Sequence, residues 1–186
     1  MDSDVGRPAR AARVHRLRDP RAVAEAAARF VASSIQSAIA SSGQCRIALA
    51  GGSTPRMMYE RLSEPDLASE IGWSDLHVFF GDERMVPPVD AFSNYRMAKE
   101  ALFDRVPIVP ENVHRIRGEL DPNVAADEYA AELGTDPLDI VLLGMGDDGH
   151  VASLFPGSTE LAPDWVCRST GLLDGPASLP PAADTP

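Results

Sequence analysis

A mostly parallel α/β sheet covered on both faces is the fold this sequence predicts, and three observations lead to it. Short apolar runs of strand length alternate with stretches of helical periodicity, each run breaks into glycine, and each glycine turn leads into polar or helix-capping residues. Strands that alternate with helices pair in parallel, and ligands of such sheets bind at the carboxyl ends of the strands. All three glycine turns fall at that end.

Along the chain, residues 20–40 place Val23, Ala27, Phe30, Val31, Ile35 and Ile39 at helical spacing, and Ser-Ser-Gly follows as a stop. CRIALA is the first strand; it ends at Gly51 and Gly52, and TPRMMYERLSE resumes helical character. LHVFF is the second, running into Gly81, a polar and proline-rich loop, and the helix SNYRMAKEALFDRV with a Ser or Asn as its N-cap. After a loop containing Val113–Ile116, NVAADEYAAELG is a helix closed by Gly134, and LDIVLLGM is a buried strand that opens into GDDGHVASLFPGS. From about Pro163 periodicity is lost. The expected organisation is one α/β domain over 1–162 and an irregular Pro/Ala/Asp-rich tail over 163–186.

A hydrophobic share of 44% with 24% charged residues fits a globular chain and excludes a disordered one. The formal net charge of −11 disfavours nucleic acid and anionic membranes as partners. A small phosphorylated ligand stays compatible, because a phosphate site needs only local donors and remote charge is screened over about 10 Å. Cys45 and Cys167 show neither a disulfide framework nor metal-ligand spacing, and neither an N-terminal signal nor a membrane-length apolar run is present. A soluble, cytoplasmic protein without a metal is expected.

The turns carry the candidate chemistry. At Gly51-Gly52-Ser53-Thr54-Pro55, the glycines allow close backbone approach, and the helix N-terminus with its two hydroxyls suits an anion. The competing reading is a plain turn capped by Ser53. Gly81-Asp82-Glu83-Arg84 sets two carboxylates and a guanidinium after the second strand; Arg84 is the candidate for a forked contact to phosphate, against a surface ion pair with Asp82 or Glu83. In Gly144-Met145-Gly146-Asp147-Asp148-Gly149-His150, Gly144 and Gly146 leave the strand end open, His150 can accept a proton near neutral pH, and Asp148 is placed to orient it. His15, His77 and His114 have no such setting and read as packing residues, Cys45 as core. Ser153 lies outside a nucleophile elbow.

LAGGSTPRMMYERL, HVFFGDERMVP with SNYRMAKEALFDRV, and DIVLLGMGDDGHVASLFPGS, in that order, resemble the 6-phosphogluconolactonase family over about residues 20–160. The related glucosamine-6-phosphate deaminases share the glycine and DGH turns, but typically carry Asp-Glu-Tyr at the second turn and Asn-Glu-Pro after the histidine. Here Asp82-Glu83-Arg84 and Ser153-Leu154-Phe155-Pro156 stand instead. The resemblance implies a three-layer α/β/α Rossmann-like fold and hydrolysis of 6-phosphoglucono-1,5-lactone without a cofactor. It further implies His150 as the activator of water, Asp148 as its support, and Arg84 with the Ser53–Thr54 turn as the phosphate holder. Gly51, Gly52, Gly144 and Gly146 would line the substrate. Relative to such lactonases the chain is expected to lack C-terminal elements of the sheet, and so to be poorly stable or weakly active alone. The alternatives are a deaminase or isomerase of amino-sugar phosphates, and a non-catalytic sugar-phosphate binding remnant.

Overall fold

The computed structural model describes residues 12–156. The helix α1 (Pro20–Ser42) starts where the Asp19 carboxylate accepts the Ala22 N–H at 2.7 Å and stops at Gly43, which takes the left-handed conformation (φ 83°) that a C-terminal cap requires. β1 (Cys45–Leu49) follows, buried at every residue. Then come α2 (Ser53–Leu62), the single turn α3 (Pro65–Ala68), β2 (Leu76–Phe80), α4 (Asn94–Ala101), α5 (Pro122–Leu133) and β3 (Ile140–Val141).

The three strands are parallel in the order β2-β1-β3, which bears out the mostly parallel sheet. Leu49 stands beside Phe80 and Ala48 beside Val141, so the strands end nearly level. That register delivers all three glycine turns to one end of the sheet.

Strand residues alternate between faces, and the alternation assigns the layers. Phe80 meets Tyr95 of α4 and Phe103 edge-on, at centroid distances of 6.2 and 6.5 Å; α2 packs against both α1 and α4 on that side. On the opposite face Arg46, in register with His77, lies 4.6 Å over the Phe79 ring and donates to the Leu133 carbonyl at the end of α5. The sheet is thus sandwiched between α1, α2 and α4 on one side and α5 on the other.

Three segments differ from the sequence reading. The helix expected through Val106 ends at Ala101, and a 3-10 turn (Phe103–Arg105) replaces its last turn. Pro107 forces Val106 into an extended conformation, so the helix must stop before it. Val113, expected in a loop, forms an isolated parallel bridge with Val78, and the His114 N–H donates to the Val78 carbonyl at 2.8 Å. LDIVLLGM is not a buried strand: only Ile140–Val141 pair regularly, and Val141, Leu143 and Met145 are 51, 64 and 78% exposed. β3 is an edge strand, and among the described residues nothing covers its outer face. The expected tail, with Cys167, lies outside the described residues.

His77 and His114 are packing residues, as expected, but they form a linked pair. The His114 Nδ1 meets Glu132 Oε1 at 2.8 Å, and its Nε2 faces His77 Nδ1 at 3.2 Å. Burial first, then the neighbouring His114 and Arg46 charges, push the His77 pKa below its ordinary value, with Asp75 opposing. A depressed histidine contributes stability above its unfolded value of about 6.5, and that contribution is lost as pH falls through the folded value. The melting temperature should therefore drop on acidification from pH 7 toward 5. In His77→Gln, thermal melts across that range should show a flatter dependence.

Candidate active site

Two tyrosines define where the strands stop and the turns begin. Tyr59 of α2, fully buried, donates to the Ala50 carbonyl at 2.8 Å and accepts the Ala50 N–H at 3.0 Å. Tyr129 of α5 does the same to Phe80, both at 2.8 Å. Each hydroxyl satisfies a backbone pair that a neighbouring strand would otherwise take, and burial pushes both phenols above their ordinary pKa. Tyr129→Phe would leave two buried backbone groups unpaired and should cost roughly 3 kcal/mol, measurable by denaturant unfolding.

Beyond these strand ends lies an open cleft of about 530 Å³. Gly51, Gly52, Ser53 and Thr54 of the first turn, Asp82 and Arg84 of the second, and Gly144, Gly146 and His150 of the third all line it. Every predicted site residue except Asp148 is on that wall, and Asp148 is bonded to His150. Met58, Leu142 and Met145 add an apolar side.

The first turn departs from one expectation. Gly52 (φ 104°) is the N-cap of α2, and no side chain caps the helix; Ser53 and Thr54 occupy its first two positions, exposed. Neither hydroxyl is consumed by capping. The leading N–H groups of α2, which have no intrahelical partner, face the cleft end of the sheet.

At the second turn the carboxylates and the guanidinium do not pair with one another. Glu83, 5% exposed, accepts the N–H groups of Arg84, Asn94 and Tyr95 at 2.7–2.9 Å and the Ser93 hydroxyl at 3.0 Å. It anchors the start of α4, where Ser93 is the N-cap through its bond to the Arg96 N–H. Arg84 directs Nη1 to the Phe92 carbonyl at 3.0 Å and to Asn94 Oδ1. Nε and Nη2 have no acceptor among the described residues, and together they form the forked edge that suits a phosphate.

Asn94, 2% exposed, is the residue that the sequence reading missed. Its Nδ2 donates to the Asp82 carbonyl at 3.0 Å, its Oδ1 holds Arg84, and a Cβ built on Gly51 would lie 2.0 Å from that oxygen. Gly51 is therefore required by close approach to Asn94. Gly118 was missed too: a Cβ there would lie 2.2 Å from the Arg84 carbonyl oxygen. The Ser-Asn cap signal marks Asn94 in the sequence only as a helix start, and nothing marks Gly118.

In the third turn Asp148 Oδ1 meets His150 Nδ1 at 2.6 Å and accepts the His150 N–H at 3.2 Å. The imidazole packs on Gly146, where a Cβ would fall 2.2 Å from Cε1, and lies 4.9 Å from the Phe155 ring. The hydrogen bond from His150 holds the Asp148 carboxyl below the usual carboxylate range. With the proton of Nδ1 directed at Asp148, Nε2 is the nitrogen left to accept another. The pair is 35 and 59% exposed, so it adds little to stability. Its geometry serves to orient the ring.

The family model described as glucosamine-6-phosphate isomerases/6-phosphogluconolactonase matches residues 18–174. The chain belongs to this family. Within it, the 6-phosphogluconolactonase of Haemophilus influenzae is 45% identical over 118 residues, covering 61% of this chain and 51% of that protein. The crystal structure of 6-phosphogluconolactonase from Thermotoga maritima superposes with a TM-score of 0.67 at 34% identity, over 75% of this chain and 62% of its own. A monomeric glucosamine-6-phosphate deaminase shares the fold, with a TM-score of 0.67 at 22% identity. The chain spans about half the length of the Haemophilus relative. Among the described residues no helix is long and apolar enough to cross a membrane.

Proposed function

We propose that the chain carries the catalytic site of a 6-phosphogluconolactonase, converting 6-phospho-D-glucono-1,5-lactone and water to 6-phospho-D-gluconate. The observation that supports this reading best is the His150–Asp148 pair set in one cleft with the Arg84 edge that has no acceptor among the described residues and with the start of α2, which no side chain caps. His150 Nε2 takes a proton from water as the oxygen attacks the lactone carbonyl, and Asp148 stabilises the imidazolium through Nδ1. Collapse of the tetrahedral intermediate breaks the bond to the ring oxygen, which receives the proton back from His150. Arg84 and the N–H groups of α2 hold the phosphate and fix the carbonyl beside the base, while the glycines admit the sugar. Ester hydrolysis changes no oxidation state and needs no redox cofactor, and a lactone is activated enough to dispense with a covalent nucleophile. The Haemophilus influenzae and Thermotoga maritima relatives bear the lactonase name, and Arg84 and Ser153–Pro156 stand where deaminases typically differ. A cytoplasmic setting and a single catalytic α/β unit accord with this reading.

The test is to supply the protein separately with 6-phosphogluconolactone and glucosamine 6-phosphate. Acid release faster than spontaneous opening, without ammonia, supports the lactonase. Ammonia release from the amino sugar would overturn it.

A further inference from the structure

The turn that presents His150 is closed mainly on itself. The Gly146 N–H donates to the His150 carbonyl and the Gly149 N–H to the Gly146 carbonyl, both at 2.9 Å, and Val151 and Leu154 exchange backbone bonds at 2.9 and 3.2 Å. Among the described residues, one side-chain hydrogen bond joins residues 144–156 to another element: the Ser153 hydroxyl donates to Asp82 Oδ2 at 2.9 Å, across 71 residues of sequence.

Asp82 is itself held in place. Asn94, buried beneath it, donates Nδ2 to the Asp82 carbonyl at 3.0 Å and lies 3.3 Å from Oδ1. Asn94 is fixed in turn by Glu83 through its own backbone N–H at 2.7 Å. A continuous series of bonds therefore runs from the buried start of α4 to the His150 turn. Ala152, next to Ser153, has φ 52°, a left-handed conformation that a residue with a Cβ keeps only where its surroundings hold it.

We propose that the Asp82–Ser153 bond is a latch that fixes the His150 turn over the cleft, which makes Asp82 and Ser153 positioning residues for the base. What His150 does once positioned rests on the lactonase reading. The latch itself does not depend on it. Asp82 Oδ1 faces the Asn94 amide and Oδ2 the Ser153 hydroxyl, so this one carboxylate joins the buried start of α4 to the loop. The turn's internal bonds set the shape of the loop, and the latch sets its place relative to Arg84.

The experiment measures two properties of the 186-residue chain and its variants. In Ser153→Ala and in Asp82→Ala, hydrogen exchange at the Gly146, Gly149, Val151 and Leu154 amides should quicken about tenfold, with β1 and β2 unchanged. In Ser153→Ala, kcat should fall about tenfold with KM within about twofold, and Ser153→Thr, which keeps the hydroxyl, should recover it. Unchanged exchange in Ser153→Ala, or a loss of kcat that Thr does not recover, overturns the latch. Absence of turnover in the unsubstituted chain would count against the lactonase reading, while the exchange measurement would still decide the latch.

Discussion

Replacing His150 with Asn is expected to lower kcat for lactone hydrolysis by ~10²–10⁴-fold with KM little changed, the range for removal of a general base. Asn is the instructive replacement because its amide can keep a hydrogen bond to Asp148, where His150 now places Nδ1 at 2.6 Å, and can still rest on Gly146. What it cannot supply is a second nitrogen able to take and return a proton. The exposed setting of the pair means that stability should hardly change, so activity and folding separate cleanly. Equal melting temperatures together with the loss of kcat, read from steady-state kinetics and thermal melts, would establish the role. Asp148→Asn should follow at smaller cost, since it removes the charge that stabilises the imidazolium but leaves the base present.

The second large effect falls on Arg84. Arg84→Lys should weaken binding of 6-phosphogluconate by ~10²-fold, because an ammonium cannot hold both the Phe92 carbonyl and Asn94 Oδ1 while offering a planar fork to the phosphate. Gluconate, which lacks the phosphate, should bind the variant and the parent chain equally weakly. Titration calorimetry with the two ligands makes the comparison directly. A cost in stability should accompany the substitution, since Asn94 Oδ1 is buried and loses its donor. If the phosphate preference survived in Arg84→Lys, phosphate recognition would belong to the α2 turn alone.

How far such a site can be read from sequence depends on whether a residue's partner lies near it in the chain. Alternating periodicity located the strand-turn-helix units, and the glycine turns at the strand ends located the cleft, because both are local patterns. Asp148 and His150 are two residues apart, so their pairing was legible as well. Glu83 and Arg84 are adjacent and invited an ion pair, yet both turn toward Asn94 at the start of α4, 11 and 10 residues on, through contacts that only the folded register creates. Asn94 was visible as part of a capping signal, but its contact with Gly51 needs β1 and α4 brought together. The hydroxyls of Tyr59 and Tyr129 reach strand ends 9 and 49 residues away, and apolar periodicity records a buried tyrosine only as core. Ser153, dismissed as a nucleophile, works through a residue 71 positions earlier. LDIVLLGM misled for a related reason: an apolar run states that a strand prefers burial, while its place at the sheet edge is a property of topology.

If His150 acts as the base of a lactone-hydrolysing cleft, the initial rate of acid release after addition of 6-phosphogluconolactone reports it directly. It is followed with the 186-residue chain, with His150→Asn at equal concentration, and with buffer alone. A saturable rate above spontaneous opening is expected for the parent chain, and a return almost to the buffer rate for the variant. Equal rates for the two proteins, both above buffer, would contradict it.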